Sequence, residues 1–270
     1  MALKLRVEIG NKKTHVVIFN SELGKQELSS LLEENGQDLV KTLQLSFEKI
    51  ARRMKQDVHS LLEKVELIEF VTTLGEIIVA DRTGAHLGLI VTKGCEKSIL
   101  NNQEASNLLQ PDLVVGIDEE VNAKGKVAKE AKEDEIRAAI RNLLDGGAEV
   151  IVASFKNAAI NPNNEISCQE VMRKSFPRHY LGGVPFQKSV EVTDSNDFTL
   201  RTQLAVKNAY IKSEIRSRLY PLVAEIWRMG YRNEVYLTDA RGHSTPLAKV
   251  LPVATLASEE PTPLRMLTEP

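Results

Sequence analysis

The stretch 67–95, LIEFVTTLGEIIVADRTGAHLGLIVTKGC, constrains the fold more than any other. It opens with an apolar run at 67–71 whose length and residue types suit a buried strand, and a second such run occupies 87–92. Between them lie Thr72 and Thr73, a weakly helical segment at 75–82 and a turn at Thr83-Gly84. A strand, a helix and a parallel strand in that order are expected to form one unit of an α/β fold, with a threonine-rich strand end at the helix N-terminus. Such a place can hold a phosphate, because helix-terminal N–H groups and threonine hydroxyls both offer donors.

Composition narrows the function classes. At 270 residues there is length for one large domain or two small ones. The formal charge of -2 leaves no basic footprint for nucleic acid and no polybasic surface for anionic lipid, so neither is expected as a partner. Cys95 and Cys168 lie far apart, without metal-ligand spacing, and read as buried free thiols; no metal is expected. No apolar run approaches the roughly 18 residues of a membrane helix, and residues 1–4 start no signal peptide. A cytoplasmic protein is expected.

Alternation at 3–10 and 14–19 predicts a hairpin joined by Gly10-Asn11-Lys12-Lys13. Helical spacing of apolar residues over 37–64 predicts one long helix with a break near Asp57, and His59 falls on its polar side. Residues 112–127 read as a strand, a turn and a short strand. Their adjacent Asp118, Glu119 and Glu120 tempt as metal ligands, but alternation along a strand makes a solvated edge the expectation. An amphipathic helix over 132–144 ends at Gly146-Gly147 and feeds an apolar strand at 149–155, giving a second crossover unit. Lys156 and Asn157 follow that strand, where α/β folds place ligands, and turn formation explains them equally well. Asn163 or Asn164 is expected to cap the next helix. A strand at 184–192 precedes a long helix capped within 194–197 and running to Met229. The last strand, 234–237, leads into Asp239, Arg241 and His243, an acid, base and imidazole group without a nucleophile in register.

Several of these segments carry a resemblance. Thr72, Thr73, Gly84, Gly88, Leu89, Thr92, Lys93 and Gly94 follow a Gly-Thr-Thr turn and Gly-Leu-Val/Ile-Thr-Thr-Lys-Gly strand pattern. Residues 116–121, GIDEEV, resemble Gly-Val-Asp-Glu-Arg-Val, and 154–162 resemble Phe-Leu-His/Phe-Ser-Tyr-x-Asn-Pro. Arg201, Thr202, Ala205, Asn208, Ala209 and Tyr210 match Glu-Arg-Thr-x-Thr-Ala-Val-x-Asn-Ala-Tyr, and 252–261 resemble Pro-Val-x-Thr-Leu-Leu-Ser-Gly-Pro-Ala. Together they resemble the N-terminal region of the hydantoinase A / 5-oxoprolinase family, which includes ATP-dependent acetone and acetophenone carboxylase subunits. The departures fall at chemistry: Val71 stands for a glycine, Ile77 for an asparagine, Leu200 for a glutamate, and Glu259-Glu260 for a glycine turn.

The resemblance implies an α/β fold: an actin-like (ribonuclease H-like) N-terminal half with an inserted α/β region, and a mixed sheet flanked by helices. The expected division is an actin-like segment at 1–95, a hydantoinase A-like region at 96–250 and a flexible tail at 251–270. In the actin-like superfamily the first hairpin carries an Asp-x-Gly-Gly-Thr phosphate turn. Its counterpart here is Glu8-Ile9-Gly10-Asn11-Lys12-Lys13-Thr14, so Glu8, Gly10, Asn11, Lys12, Thr14, Thr72 and Thr73 are the vestigial phosphate-binding candidates. A charged, solvent-exposed hairpin turn is the alternative. Lys156, Asn157, Arg201, Asn208, Asp239, Arg241 and His243 are the substrate-cleft candidates.

Three functions stay open. One is an accessory or non-catalytic subunit of a multisubunit ATP-dependent ketone carboxylase, partnered by larger hydantoinase A/B-like subunits that carry ATP and magnesium, with no intrinsic cofactor here. The second is a stand-alone ATP-dependent hydantoinase/oxoprolinase-like enzyme or kinase acting on a small carbonyl or amide. The third is a regulatory module that kept the fold without the chemistry.

Overall fold

The computed structural model describes residues 3–10, 13–20, 25–33, 38–176, 183–239 and 241–256. In chain order the first elements are β1 (Leu3–Ile9), β2 (Lys13–Asn20), β3 (Lys25–Glu33), α1 (Leu39–Arg53), α2 (Val58–Glu63), β4 (Val65–Thr72) and α3 (Leu74–Ala80). Then come β5 (Leu87–Thr92), α4 (Glu96–Leu100), α5 (Gln103–Ser106), β6 (Val114–Ile117), β7 (Glu120–Val121), β8 (Val127–Lys129), α6 (Glu133–Asp145) and β9 (Val150–Ser154). The last are α7 (Asn163–Ser175), β10 (Phe186–Lys188), α8 (Phe198–Arg228), β11 (Val235–Thr238) and β12 (Ser244–Pro246). The chain divides into two compact units, Met1–Asp81 with Glu214–Pro270, and Arg82–Ser213. The first gathers two stretches of chain, a different division from 1–95, 96–250 and 251–270. Within the second half, residues 257–270 of the expected tail lie outside the described residues.

In the first unit a six-stranded mixed sheet has the order β12-β11-β4-β1-β2-β3. The β1–β2 hairpin forms as the alternation requires, in the register Leu5↔Ile18 and Val7↔Val16, with Leu3, Leu5, Val7 and Ile9 buried and Lys4 exposed. β3, which extends this meander beside β2, was not expected: its KQELSSLLE sequence has no β-branched residue, and pairing with β2 decides its conformation. β1 runs parallel to β4 and β4 parallel to β11, which β12 closes as an antiparallel neighbour. α1 buries Leu43, Phe47, Ile50 and Ala51, a stripe at i, i+4, i+7 and i+8. The expected break is present: Lys55 takes a left-handed φ of 55°, and the Asp57 carboxylate caps α2 by accepting from the Ser60 N–H at 2.9 Å.

The second unit holds a four-stranded sheet of order β10-β9-β5-β6 in which every pairing is parallel. Covered on both faces, β9 (VIVAS) is buried at every residue. Ile90, Ile136, Ile140, Leu143, Ile151, Phe155, Cys168 and Met172 belong to its core. α6 packs Ile136, Ala139, Ile140 and Leu143 inward, and its chain leaves through Gly147 at φ 88°. Two glycines are demanded by close approach. A Cβ on Gly84 would lie 2.4 Å from the Tyr210 ring, and one on Gly116 would lie 1.8 Å from Glu96 Oε1.

One expectation is overturned here. β4 and β5, read as neighbours in one strand–helix–strand unit, belong to different sheets. Both edges of β4 are taken, by β1 and by β11, whose sequence lies more than 160 positions later, while β5 lies between β9 and β6. The cap of α7 also differs. Pro162 occupies the cap position, and the side chain that accepts from the Asn163 N–H, at 3.0 Å, is Asn161. Among the described residues no helix is long and apolar enough to cross a membrane.

Candidate functional site

Parallel strands deliver their carboxyl ends to one rim, and the chain that leaves each strand there is free of the ladder. In the second unit β5 ends at Thr92, β6 leads into Asp118 and Glu119, and β9 leads through Phe155 into Lys156 and Asn157. These residues, with Glu120, Asn122 and Lys129 of the β7–β8 ribbon, line a cleft of about 540 Å³. Lys156 and Asn157 are among its lining residues, and the GIDEEV and SFKNAAINP motifs meet there.

Asp118, Glu119 and Glu120 have three different environments. Asp118 forms an ion pair with Lys129, which holds its carboxyl below the usual range, and its N–H donates to Glu135 Oε1 at 2.9 Å. Glu120 is exposed. Glu119 is 4% exposed, so the solvated edge expected for it is corrected to a buried carboxylate. Its Oε1 accepts from Thr92 Oγ1 at 2.5 Å and its Oε2 from Asn164 Nδ2 at 2.7 Å. Burial pushes the Glu119 carboxyl above its usual range, and these two hydrogen bonds oppose the shift.

Thr92 Oγ1 in turn accepts from the Lys156 N–H at 3.0 Å, so one hydroxyl joins the ends of β5 and β9 to Glu119. Asn157 takes a left-handed φ of 57°, which asparagine tolerates, and its Nδ2 donates to the Val121 carbonyl at 2.7 Å. Asn161 Nδ2 donates to the Gly125 carbonyl at 2.7 Å, fastening the other end of the same ribbon. Thr92, Lys129 and Asn164 were not among the candidates. Thr92 carried a signal in its matched strand motif; Asn164 was read only as a helix cap, and Lys129 carried no signal.

Arg201 and Asn208 lie elsewhere in this unit, both fully buried. Arg201 donates from Nε to Ser189 Oγ at 3.0 Å, from Nη1 to the Ser195 carbonyl at 2.7 Å, and from Nη2 to the Phe155 carbonyl. Ser189 Oγ passes the contact on to Glu165 Oε1 at 2.6 Å, and Glu165 also accepts from the N–H groups of Phe155 and Val190. Asn208 Nδ2 donates to Gln187 Oε1 at 2.7 Å. Both candidates therefore tie α8 to the chain around β9 and β10.

In the first unit the described phosphate candidates gather at one end of the sheet. Glu8 Oε2 meets His15 Nδ1 at 3.0 Å across the hairpin, and Thr14 is buried. The Gly10 N–H donates to the Lys13 carbonyl at 3.0 Å. Thr72 Oγ1 donates to the Ile9 carbonyl at 3.0 Å and accepts from the Leu74 N–H at 3.0 Å, while the Thr73 N–H reaches the Ile9 carbonyl at 3.3 Å. Asn11 and Lys12 lie outside the described residues. A cavity of about 340 Å³ beside this end is lined by Gly10, Asp38, Leu74, Ile77, Ser217 and Arg218, among others. Asp239, Arg241 and His243 form the β11–β12 turn: Asp239 Oδ1 accepts from the N–H groups of Arg241 at 2.9 Å and His243 at 2.8 Å. His243 and Arg241 are exposed. The cleft candidates are thus spread over a turn, a buried network and a strand-end cleft.

Residues 4–176 match the family model for the hydantoinase/oxoprolinase N-terminal region. The acetophenone carboxylase gamma subunit of Aromatoleum aromaticum is 26% identical over 212 residues, which is 71% of this chain and 29% of that protein. The nucleotide-free structure of acetone carboxylase, from a study of ATP-dependent acetone carboxylation, shares the fold at a TM-score of 0.82 and 19% identity, covering 95% of this chain and 39% of that one. An ATP-dependent caprolactamase from Pseudomonas jessenii does so at a TM-score of 0.76 and 19% identity, covering 90% and 36%. The chain thus spans less than a third of the length of the acetophenone carboxylase subunit.

Proposed function

This chain belongs to the family of the hydantoinase/oxoprolinase N-terminal region, and from that premise we propose that it serves as a subunit of an ATP-dependent carboxylase acting on a ketone. In this reading it has an accessory role, docks with larger hydantoinase A/B-like subunits, and does not turn over ATP by itself. The observation that carries the reading is the state of the backbone at the two threonine- and glycine-bearing turns. A phosphate cradle needs N–H groups aimed outward at the ligand. The N–H groups of Gly10, Thr73 and Leu74 are each engaged, by the Lys13 carbonyl, the Ile9 carbonyl and Thr72 Oγ1. The described residues of these turns therefore do not fit a nucleotide phosphate without rearrangement, which supports placing ATP and magnesium on the partner.

Calorimetric titration with Mg-ATP tests this, alone and after mixing with a larger hydantoinase-type subunit. Silence alone, with ketone-dependent ATP hydrolysis by the partner rising on addition of this chain, is the expected result. Micromolar binding by the isolated chain would overturn the accessory role and turn the reading toward a stand-alone enzyme.

A further inference from the structure

The C-terminal half of α8 leaves an aromatic ridge in solvent. Ile215, Leu219, Leu222 and Ile226 form its buried side. On another side Arg216, Tyr220, Ala224 and Trp227 follow one another at spacings of four, four and three residues. They form one stripe, roughly 16 Å long, and all four are exposed. Tyr220 is 41% and Trp227 48% exposed. Both ends of the stripe are held in place. The Arg216 guanidinium lies 5.7 Å from the centroid of the Tyr220 ring. Trp227 Nε1 donates to the Asn233 carbonyl at 3.3 Å, and Arg232 Nη1 donates to the Trp227 carbonyl at 3.3 Å. Two ordered aromatic rings in solvent, with an arginine at each end, have the composition of the anchors in protein interfaces.

The charge around the ridge selects the partner. Arg216 and Arg232 make no ion pair among the described residues. The one carboxylate between them in sequence, Glu225, has its oxygens taken by Gln44 and Arg228. The Gln44 contact places α1 beside α8, and α1 is basic too. Residues 39–53 and 214–234 together hold eight lysines and arginines against four glutamates, in a chain whose formal charge is -2. A nucleic acid needs cations along the line of its phosphates, whereas this line is apolar between its ends. A protein surface with an apolar pocket edged by carboxylates meets both features. We propose that the ridge docks on a carboxylate-bearing surface of the larger hydantoinase-type subunit, with Tyr220 and Trp227 as apolar anchors and Arg216 and Arg232 as counter-charges. This docking rests on the accessory role proposed above and gives that role a surface. The ridge lies wholly within the first unit.

Trp227 is the only tryptophan of the chain, so labelling the full chain with 5-fluorotryptophan gives one fluorine resonance that reports on the ridge. The test is titration of that chain with a larger hydantoinase-type subunit, followed by fluorine NMR and by sedimentation. A saturable shift of the resonance is expected, with affinity falling roughly tenfold or more in Tyr220→Ala and in Trp227→Ala. Arg216→Glu is expected to weaken the complex most at low salt, and Leu31→Ala, an exposed apolar site on β3, to leave it unchanged. Circular dichroism establishes that each variant is folded. A complex that forms with an unmoved resonance and undiminished affinity in both alanine variants overturns the ridge and leaves the accessory role standing. No complex with the wild-type chain overturns both. A resonance that moves with the concentration of the chain alone, or with an oligonucleotide in place of the subunit, overturns the proposed partner.

Discussion

At the scale of single residues, the second unit commits two glutamates to burial. Glu119 and Glu165 are 4% and 0% exposed, and desolvation pushes both carboxyls above their usual range. Each is therefore protonated more readily in the folded chain than in the unfolded one. Such a group contributes stability below the unfolded value of 4.5 and loses that contribution as pH rises through the folded value. Asp57, Asp118 and Glu225 are shifted downward and work in the opposite sense, so the slope of the whole chain does not isolate the effect. A comparison with Glu119→Gln does. The stability of the wild type relative to this variant is expected to decline as pH rises above about 4.5 in urea titrations at matched ionic strength. A relative stability that rises over that window would show that Glu119 is favoured in its charged form.

At the scale of elements, a few side chains decide how strands and helices meet. Thr72 joins three elements, since its hydroxyl donates to the end of β1 and accepts from the first N–H of α3, while its own backbone ends β4. Thr72→Val keeps the shape and removes both bonds, leaving the Leu74 N–H buried without its partner. The expected loss is about 1–3 kcal/mol in urea unfolding, and an unchanged unfolding midpoint would show that these two bonds contribute nothing to stability. Tyr231 makes a comparable link: its hydroxyl accepts from the Ile68 N–H at 3.1 Å, and burial pushes its pKa up to about 12.

At the scale of the whole molecule, the first unit is discontinuous in sequence, and its sheet needs both stretches of chain. β11 supplies one edge partner of β4, and Thr238 and Ser244 each donate to Glu69 Oε2 at 3.1 Å, while Arg6 Nε donates to its other oxygen at 2.6 Å. A chain ending at Ser213 lacks β11, β12 and the half of α8 that buries Ile215, Leu219, Leu222 and Ile226. Limited proteolysis of that fragment is expected to cleave within 1–81 and to leave 82–213 resistant. Equal resistance of both segments would show that β1 to β4 suffice for the first unit.

Much was determined by the sequence alone. The hairpin of β1 and β2, the helices α1, α6 and α8, and the buried strands β4, β5 and β9 follow from alternation, helical spacing and turn residues, which are local properties of the chain. That Lys156 and Asn157 follow the end of an apolar strand was legible because that place is also local. Tertiary structure alone decided which strands share a sheet. β4 and β5 lie next to each other in sequence and part company because their pairing partners, β11 and β9, come from distant segments. It also decided that β3 is a strand, that Arg201 and Asn208 are buried, and that Glu119 leaves solvent for Thr92 and Asn164. The reason is common to all of these. Burial and pairing depend on contacts between residues far apart in sequence, and no periodicity within a segment records which distant segment will meet it.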